Sequence, residues 1–110
     1  MAINKKTLFS TENQELATLF KVLGHPARLD ILLTLAEKNV CICGEIVEVL
    51  PLAQSTVSQH LKELKEAGLI AGEVEGKKSC YCINWEAIGA LRAQLEQFFS
   101  ALEESKQSCC

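Results

Sequence analysis

In the stretch Gln54–Ile70, QSTVSQHLKELKEAGLI, the apolar residues Val57, Leu61, Leu64 and Leu69 recur at near-helical spacing, so one face of a helix can sit on a core. Ser55, Thr56, Ser58, Gln59, His60 and Lys62 are then expected to face outward. Gly68 supplies the stop, because a residue without Cβ takes the left-handed cap conformation at little steric cost. The second half of the stretch has the Glu and Lys of a solvated helix. The first half offers hydroxyls, amides and an imidazole, groups that hydrogen-bond base edges and phosphates. An ordinary amphipathic helix with polar filler has the same pattern, so the neighbouring segments have to discriminate.

Upstream, Ser10 or Thr11 can cap a first helix from about Glu12 to Leu23, with Leu16, Leu19, Phe20 and Leu23 on its apolar face and Gly24 after it. His25-Pro26 restarts the chain, since proline suits a helix's first turn. Leu29, Ile31, Leu32, Leu33 and Leu35 continue a strongly apolar second helix to about Glu37. A short third helix is expected from about Cys43 to Leu50, closed by Pro51. Downstream the period changes to two. Ile70 and Val74, then Tyr81 and Ile83, flank the turn Glu75-Gly76-Lys77-Lys78 and predict a β-hairpin with lysines at its tip. From Trp85 to about Glu104 helical spacing returns with Ile88, Leu91, Leu95, Phe98, Phe99 and Leu102. So apolar a terminal helix invites a partner, and pairing with the first helix and a second subunit would cover it. The last residues, Ser105 to Cys110, read as a loose tail.

The expected fold is therefore mainly α with a small β-hairpin, in the order α-α-α-α-β-β-α, a dimeric winged helix-turn-helix in one domain over residues 1–110. In that architecture the Gln54 helix enters the major groove leading end first. The hairpin is the wing, and Lys77 and Lys78 are placed to meet phosphate.

With 110 residues, 48% apolar and 23% charged, the composition is that of a single globular domain. No apolar run approaches the ~20 residues that span a bilayer. The start, MAINKKTLFSTENQ, lacks an apolar stretch of signal-peptide length, so a cytoplasmic location and no membrane partner are expected. The net charge of −3 excludes a strongly basic non-specific nucleic-acid binder. A specific one depends instead on local charge, and Lys62, Lys65, Lys77 and Lys78 lie mid-chain, interleaved with Glu63, Glu66, Glu73 and Glu75.

Four segments, LFKVLGHPARLDILLTL, VCICGEI, QSTVSQHLKELKEAGLI and VEGKKSCYCI, together resemble the ArsR/SmtB family of arsenic- and metal-responsive transcriptional repressors over nearly the full chain. The resemblance implies a homodimer, joined through its first and last helices, on palindromic double-stranded operator DNA. It implies no cofactor for DNA binding and release by an inducer. By matching position Gln54, Ser55, Thr56, Ser58, Gln59 and His60 would read the operator. Ala53 departs from the pattern, because many members carry a capping serine there.

The six cysteines fall in three close pairs, Cys41 with Cys43, Cys80 with Cys82, and Cys109 with Cys110. In a reducing compartment such spacing points to metal binding or redox chemistry. Cys41-Ile42-Cys43 resembles the Cys-x-Cys of arsenic-sensing members, but Ile46 stands where a complete site in that helix has its third cysteine. Cys109-Cys110 resembles relatives that build an arsenic site near the chain terminus. Five residues beyond the last helix reach ~18 Å when extended, enough to approach another segment, and reach alone does not show contact. The zinc site of other members, made from Asp and His on the last helix, has no counterpart between Trp85 and Glu104.

The chemistry stands apart from the family. Trivalent arsenic or antimony prefers soft thiolates, and three-coordination needs three sulfurs converging on one side. Residues two apart share a side of an extended segment but not of an α-helix. Cys41 and Cys43 can therefore chelate one ion only if the third helix starts at or after Cys43, or unwinds on binding. Thiolates at a helix N-terminus also have a lowered pKa. Cys41, Cys43, Cys109 and Cys110 are the expected ligands of As(III) or Sb(III), with Cys80 and Cys82, on one face of the wing strand, as a second candidate pair.

His25 before Pro26 reads as structural, and no Cys2His2 spacing is present for a zinc finger. Within the repressor reading, cadmium, lead or a sulfide or oxidant signal could replace arsenic. A thiol enzyme would want an anion-binding loop around its cysteine or a Cys-x-x-Cys before a helix, and neither occurs, so no enzymatic activity is expected. A metal buffer without DNA binding is the third class.

Overall fold

The computed structural model describes residues 8–38, 42–43, 53–75 and 78–106. Helix α1 runs Thr11–Leu23, with the Ser10 side chain accepting from the backbone N–H of Asn13 at 3.1 Å, a serine N-cap that settles the choice between Ser10 and Thr11. Helix α2, Pro26–Lys38, starts on the proline. Helix α3 spans Gln54–Glu66 and α4 spans Trp85–Glu104. The strands are β1 Ile42–Cys43, β2 Ile70–Glu75 and β3 Lys78–Ile83, in the sheet order β1-β3-β2, with both pairings antiparallel. No described helix is long and apolar enough to cross a membrane.

The expected hairpin is present, and β1 extends it to three strands. This corrects the reading of Cys43 as the start of a helix, since Ile42 pairs with Tyr81 and Cys43 with Cys80. β3 offers an open edge on the side away from β2, and unpaired ladder groups there recruit any extended segment within reach. Residues 44–50 of the expected third helix, the turn residues Gly76 and Lys77, and the tail pair Cys109 and Cys110 lie outside the described residues, as does Cys41.

The core forms where α2, α3, the sheet and α4 meet. Ile31, Leu35, Val57, Leu64 and Leu69 are its most completely buried large side chains. Ile70, Tyr81 and Ile83 seal the sheet side, as period-two alternation requires. In α2 only part of the apolar run is core: Leu29 and Leu33 are exposed, because a run of apolar residues on a helix goes round its axis and only one side, that of Ile31 and Leu35, meets the core.

The C-terminal end of α3 is closed by a Schellman motif. Gly68 takes φ +81°, its N–H donates to the Lys65 carbonyl at 2.9 Å, and the Leu69 N–H donates to the Leu64 carbonyl at 3.1 Å. Asn84 then ties this turn to α4. Its Nδ2 donates to the Gly68 carbonyl at 2.9 Å while its Oδ1 accepts from the Ala87 N–H at 3.2 Å, capping α4. One side chain thus fixes the end of α3 against the start of α4.

Candidate nucleic-acid interface

α3 is held from behind by Val57, Leu61 and Leu64, and its outward side is polar. Ser55, Thr56, Ser58, Gln59 and Lys62 are all exposed. Ser55, Gln59 and Lys62 follow at i, i+4 and i+7, so hydroxyl, amide and ammonium line one side of the helix. Gln59 Nε2 donates to Glu63 Oε1 at 3.1 Å, which leaves its amide oxygen turned to solvent as an acceptor. Such an amide can pair with the N6 and N7 edge of adenine in a major groove. Gln54 opens the helix, and no carboxylate lies in its first turn, so the positive end of the helix dipole stays uncompensated for phosphate. Ala53 is the N-cap and makes no side-chain cap hydrogen bond, which locates the start that the missing serine had left open.

His60 does not face outward. It is only 7% exposed, so the expectation that it faces outward is corrected. The physical reason is its place at i+3 from Val57 and i−1 from Leu61, on the buried stripe of α3 rather than beside it. Arg28 Nε donates to His60 Nδ1 at 3.1 Å, and Arg28 Nη1 donates to the Val22 carbonyl at 3.0 Å. The His25 ring lies 4.3 Å from that of His60, centroid to centroid, tilted by 51°. His25 Nδ1 in turn accepts from the Ala27 N–H at 3.1 Å. Burial first, then the neighbouring His25 and the Arg28 charge, push the His60 pKa below its ordinary 6.5, and Glu63 opposes them. A neutral His60 accepting at Nδ1 carries its proton on Nε2, which is buried with no hydrogen-bond partner among the described residues. This cluster joins the α1–α2 turn to the middle of α3. Arg28 was missed in the sequence because an arginine two residues after a proline reads as surface; the signal available was the imidazole occupying an apolar slot.

The wing is β2 and β3, and Lys78 opens β3 opposite Glu75. Lys77 lies outside the described residues. Gly72 allows the close approach of the strands: a Cβ there would collide with the Cys80 carbonyl oxygen and lie 2.8 Å from Tyr81 Cδ1.

Of the thiols, Cys80 and Cys82 share one face of β3, opposite to that of Tyr81 and Ile83, and both are half-buried. Cys82 Sγ donates weakly to the Ala71 carbonyl at 3.8 Å, and Cys80 is disulfide-bonded. Cys43 stands in the extended β1, the backbone form in which residues two apart share a side. Among the described residues no group of three or more His, Cys, Asp or Glu side chains comes together to hold a metal ion.

Residues 25–71 match the model of the family described as bacterial regulatory protein, arsR family. The chain is 33% identical over 86 residues to the HTH-type transcriptional regulator YgaV of Escherichia coli, an alignment spanning 78% of this chain and 87% of that one. It is 32% identical to an arsenical resistance operon repressor of Staphylococcus xylosus, over 87% and 88% of the two chains. Among solved structures, an ArsR family transcriptional regulator superposes with a TM-score of 0.73 at 22% identity, over 90% of this chain and all (100%) of that one. A homodimeric winged helix-turn-helix DNA-binding domain from Mycobacterium bovis superposes with a TM-score of 0.60 at 26% identity, over 96% and 92%. With the family model, the relatives and the winged helix-turn-helix fold in agreement, the chain belongs to the ArsR/SmtB family of winged helix-turn-helix transcriptional repressors.

Proposed function

We propose that this protein is a homodimeric repressor that binds a palindromic double-stranded operator through α3 and the wing, and leaves it when arsenite or antimonite binds cysteine thiolates. The observation that carries the DNA reading is the exposed row Ser55, Gln59 and Lys62 on a helix fixed from behind by buried apolar residues. Gln54, Ser55, Thr56, Ser58 and Gln59 contact base edges and phosphates, Lys62 and the wing lysines Lys77 and Lys78 contact the backbone, and His60 acts from behind through Arg28. Two such helices related by a two-fold axis would meet half-sites about one helical turn apart.

Dimerisation uses α1 and α4. Phe20, Phe98, Phe99 and Leu102 are exposed there, and Phe20 meets Phe98 edge-on at 6.4 Å. The Mycobacterium bovis domain of the same fold is homodimeric.

Arsenical-resistance repressors among the relatives support the inducer class. Cys41 and Cys43 are the first thiolates of the site, with Cys109 or Cys110 able to add a third. Soft trivalent arsenic suits this all-sulfur donor set. A second reading, release by an oxidant, is favoured by the disulfide at Cys80. The test is operator affinity of the reduced protein, measured by fluorescence anisotropy with and without arsenite, antimonite, cadmium and peroxide. Loss of affinity with arsenite or antimonite is expected. If arsenite leaves it unchanged while cadmium or peroxide abolishes it, the inducer assignment is wrong.

A further inference from the structure

The ladder between β1 and β3 brings together two cysteines that lie far apart in the chain. Cys43 is the register partner of Cys80. Directly opposed residues of antiparallel strands stand about 4.5–5.5 Å apart at Cα. That lies within the ~4.4–6.8 Å a disulfide bridges. Opposed residues also share a face of their sheet. The neighbouring pair, Ile42 with Tyr81, sits on the other face, where Tyr81 is buried, so the two cysteines belong to the face turned away from the core. Independently of the register, Cys80 is disulfide-bonded, which places a second sulfur within bonding reach of it.

We propose that Cys43 and Cys80, when reduced, form a cross-strand dithiol that captures a trivalent arsenical, so that the wing strand supplies one half of the site and β1 the other. An arsenical with two exchangeable oxygen ligands loses two As–O bonds and gains two As–S bonds. The two thiol protons leave with the oxygens as water, arsenic stays trivalent, and no electrons are transferred. Two thiols meeting across a ladder are held at high effective concentration, so both sulfurs bind before either lets go. The tail is not needed for this capture. The arsenical fastens the wing strand to the segment ahead of α3. Its effect on DNA rests on the repressor reading above, whereas the capture itself does not.

The test uses phenylarsine oxide, a probe that takes two thiolates, on the reduced full-length chain carrying Cys41→Ser, Cys82→Ser, Cys109→Ser and Cys110→Ser, so that only Cys43 and Cys80 remain. Circular dichroism and operator binding establish that this variant is folded. The expected result is a one-to-one adduct in which proteolysis and mass spectrometry find the Cys43 and Cys80 segments joined through arsenic. Adding Cys80→Ser lowers probe affinity roughly a hundredfold or more, the loss of chelation. A folded two-cysteine variant that gives no bridged adduct overturns the proposal. So does wild-type protein in which arsenic joins only Cys41 to Cys43, or only the tail pair. A bridged adduct that leaves operator affinity unchanged upholds the dithiol and counts against release by arsenicals, so the two failures are distinguishable.

Discussion

Arg28 Nε donates to His60 Nδ1 at 3.1 Å, and through that bond the turn between α1 and α2 is fastened to the back of α3. The bond requires a lone pair on Nδ1, so it exists only with a neutral imidazole. Burial, His25 and Arg28 all lower the His60 pKa from its ordinary 6.5. The unfolded chain therefore binds more protons than the native one below that value, and stability rises with pH. The contribution is complete above about 6.5 and is lost as pH falls from there towards the depressed native value. Thermal or urea unfolding of wild type and His60→Gln between pH 5 and 8 should show a shallower acid slope in the variant. Equal slopes would assign the acid sensitivity elsewhere.

Ala53 caps α3 with no side-chain hydrogen bond. Its backbone is extended, at φ −64° and ψ 148°, the conformation a capping serine uses. Ala53→Ser should therefore stabilise the protein by about 1 kcal/mol. In a domain of this size, compared at one fixed protein concentration, that corresponds to a rise in Tm of roughly 4–8 °C. An unchanged or lowered Tm would mean that the first turn of α3 does not have this geometry in solution.

Gly72 of β2 is the register partner of Tyr81 in β3. Because an added methyl would meet the Cys80 carbonyl and the Tyr81 ring, Gly72→Ala should destabilise by about 1–3 kcal/mol through overpacking. The damage is local to the wing, so operator affinity should fall with it. Hydrogen exchange, read along β2 and β3, would locate the loss, and full protection there would contradict the packing.

Phe20 and Phe98 are partly exposed in the single chain and touch edge to face. Burying one phenylalanine is worth about 1.5–3 kcal/mol. Phe98→Asp should accordingly weaken the dimer by roughly tenfold to a hundredfold. Sedimentation would show monomer at concentrations where wild type is dimeric, and operator affinity should fall in parallel. A variant that stays dimeric would move the interface off this face.

The four described helices, the caps at Ser10 and Gly68, the wing strands and the polar side of α3 were legible in the sequence, because period, capping chemistry and turn residues are local properties. The sequence also singled out the candidate residues, the hydroxyl and amide groups of α3 and the three cysteine pairs. What it could not determine was which distant residues meet. His60 looked outward because polarity suggested it, whereas packing against α2 decided the matter and gave Arg28 its partner. Cys43 was read as the first residue of a helix, and only the open edge of β3 made it a strand residue. The register of that edge, a property of two segments 37 positions apart as the pairing of Cys43 with Cys80 has them, is what sets one thiol across from another. Ladder pairing is non-local, so no pattern along the chain encodes it, and the tertiary structure alone decides it.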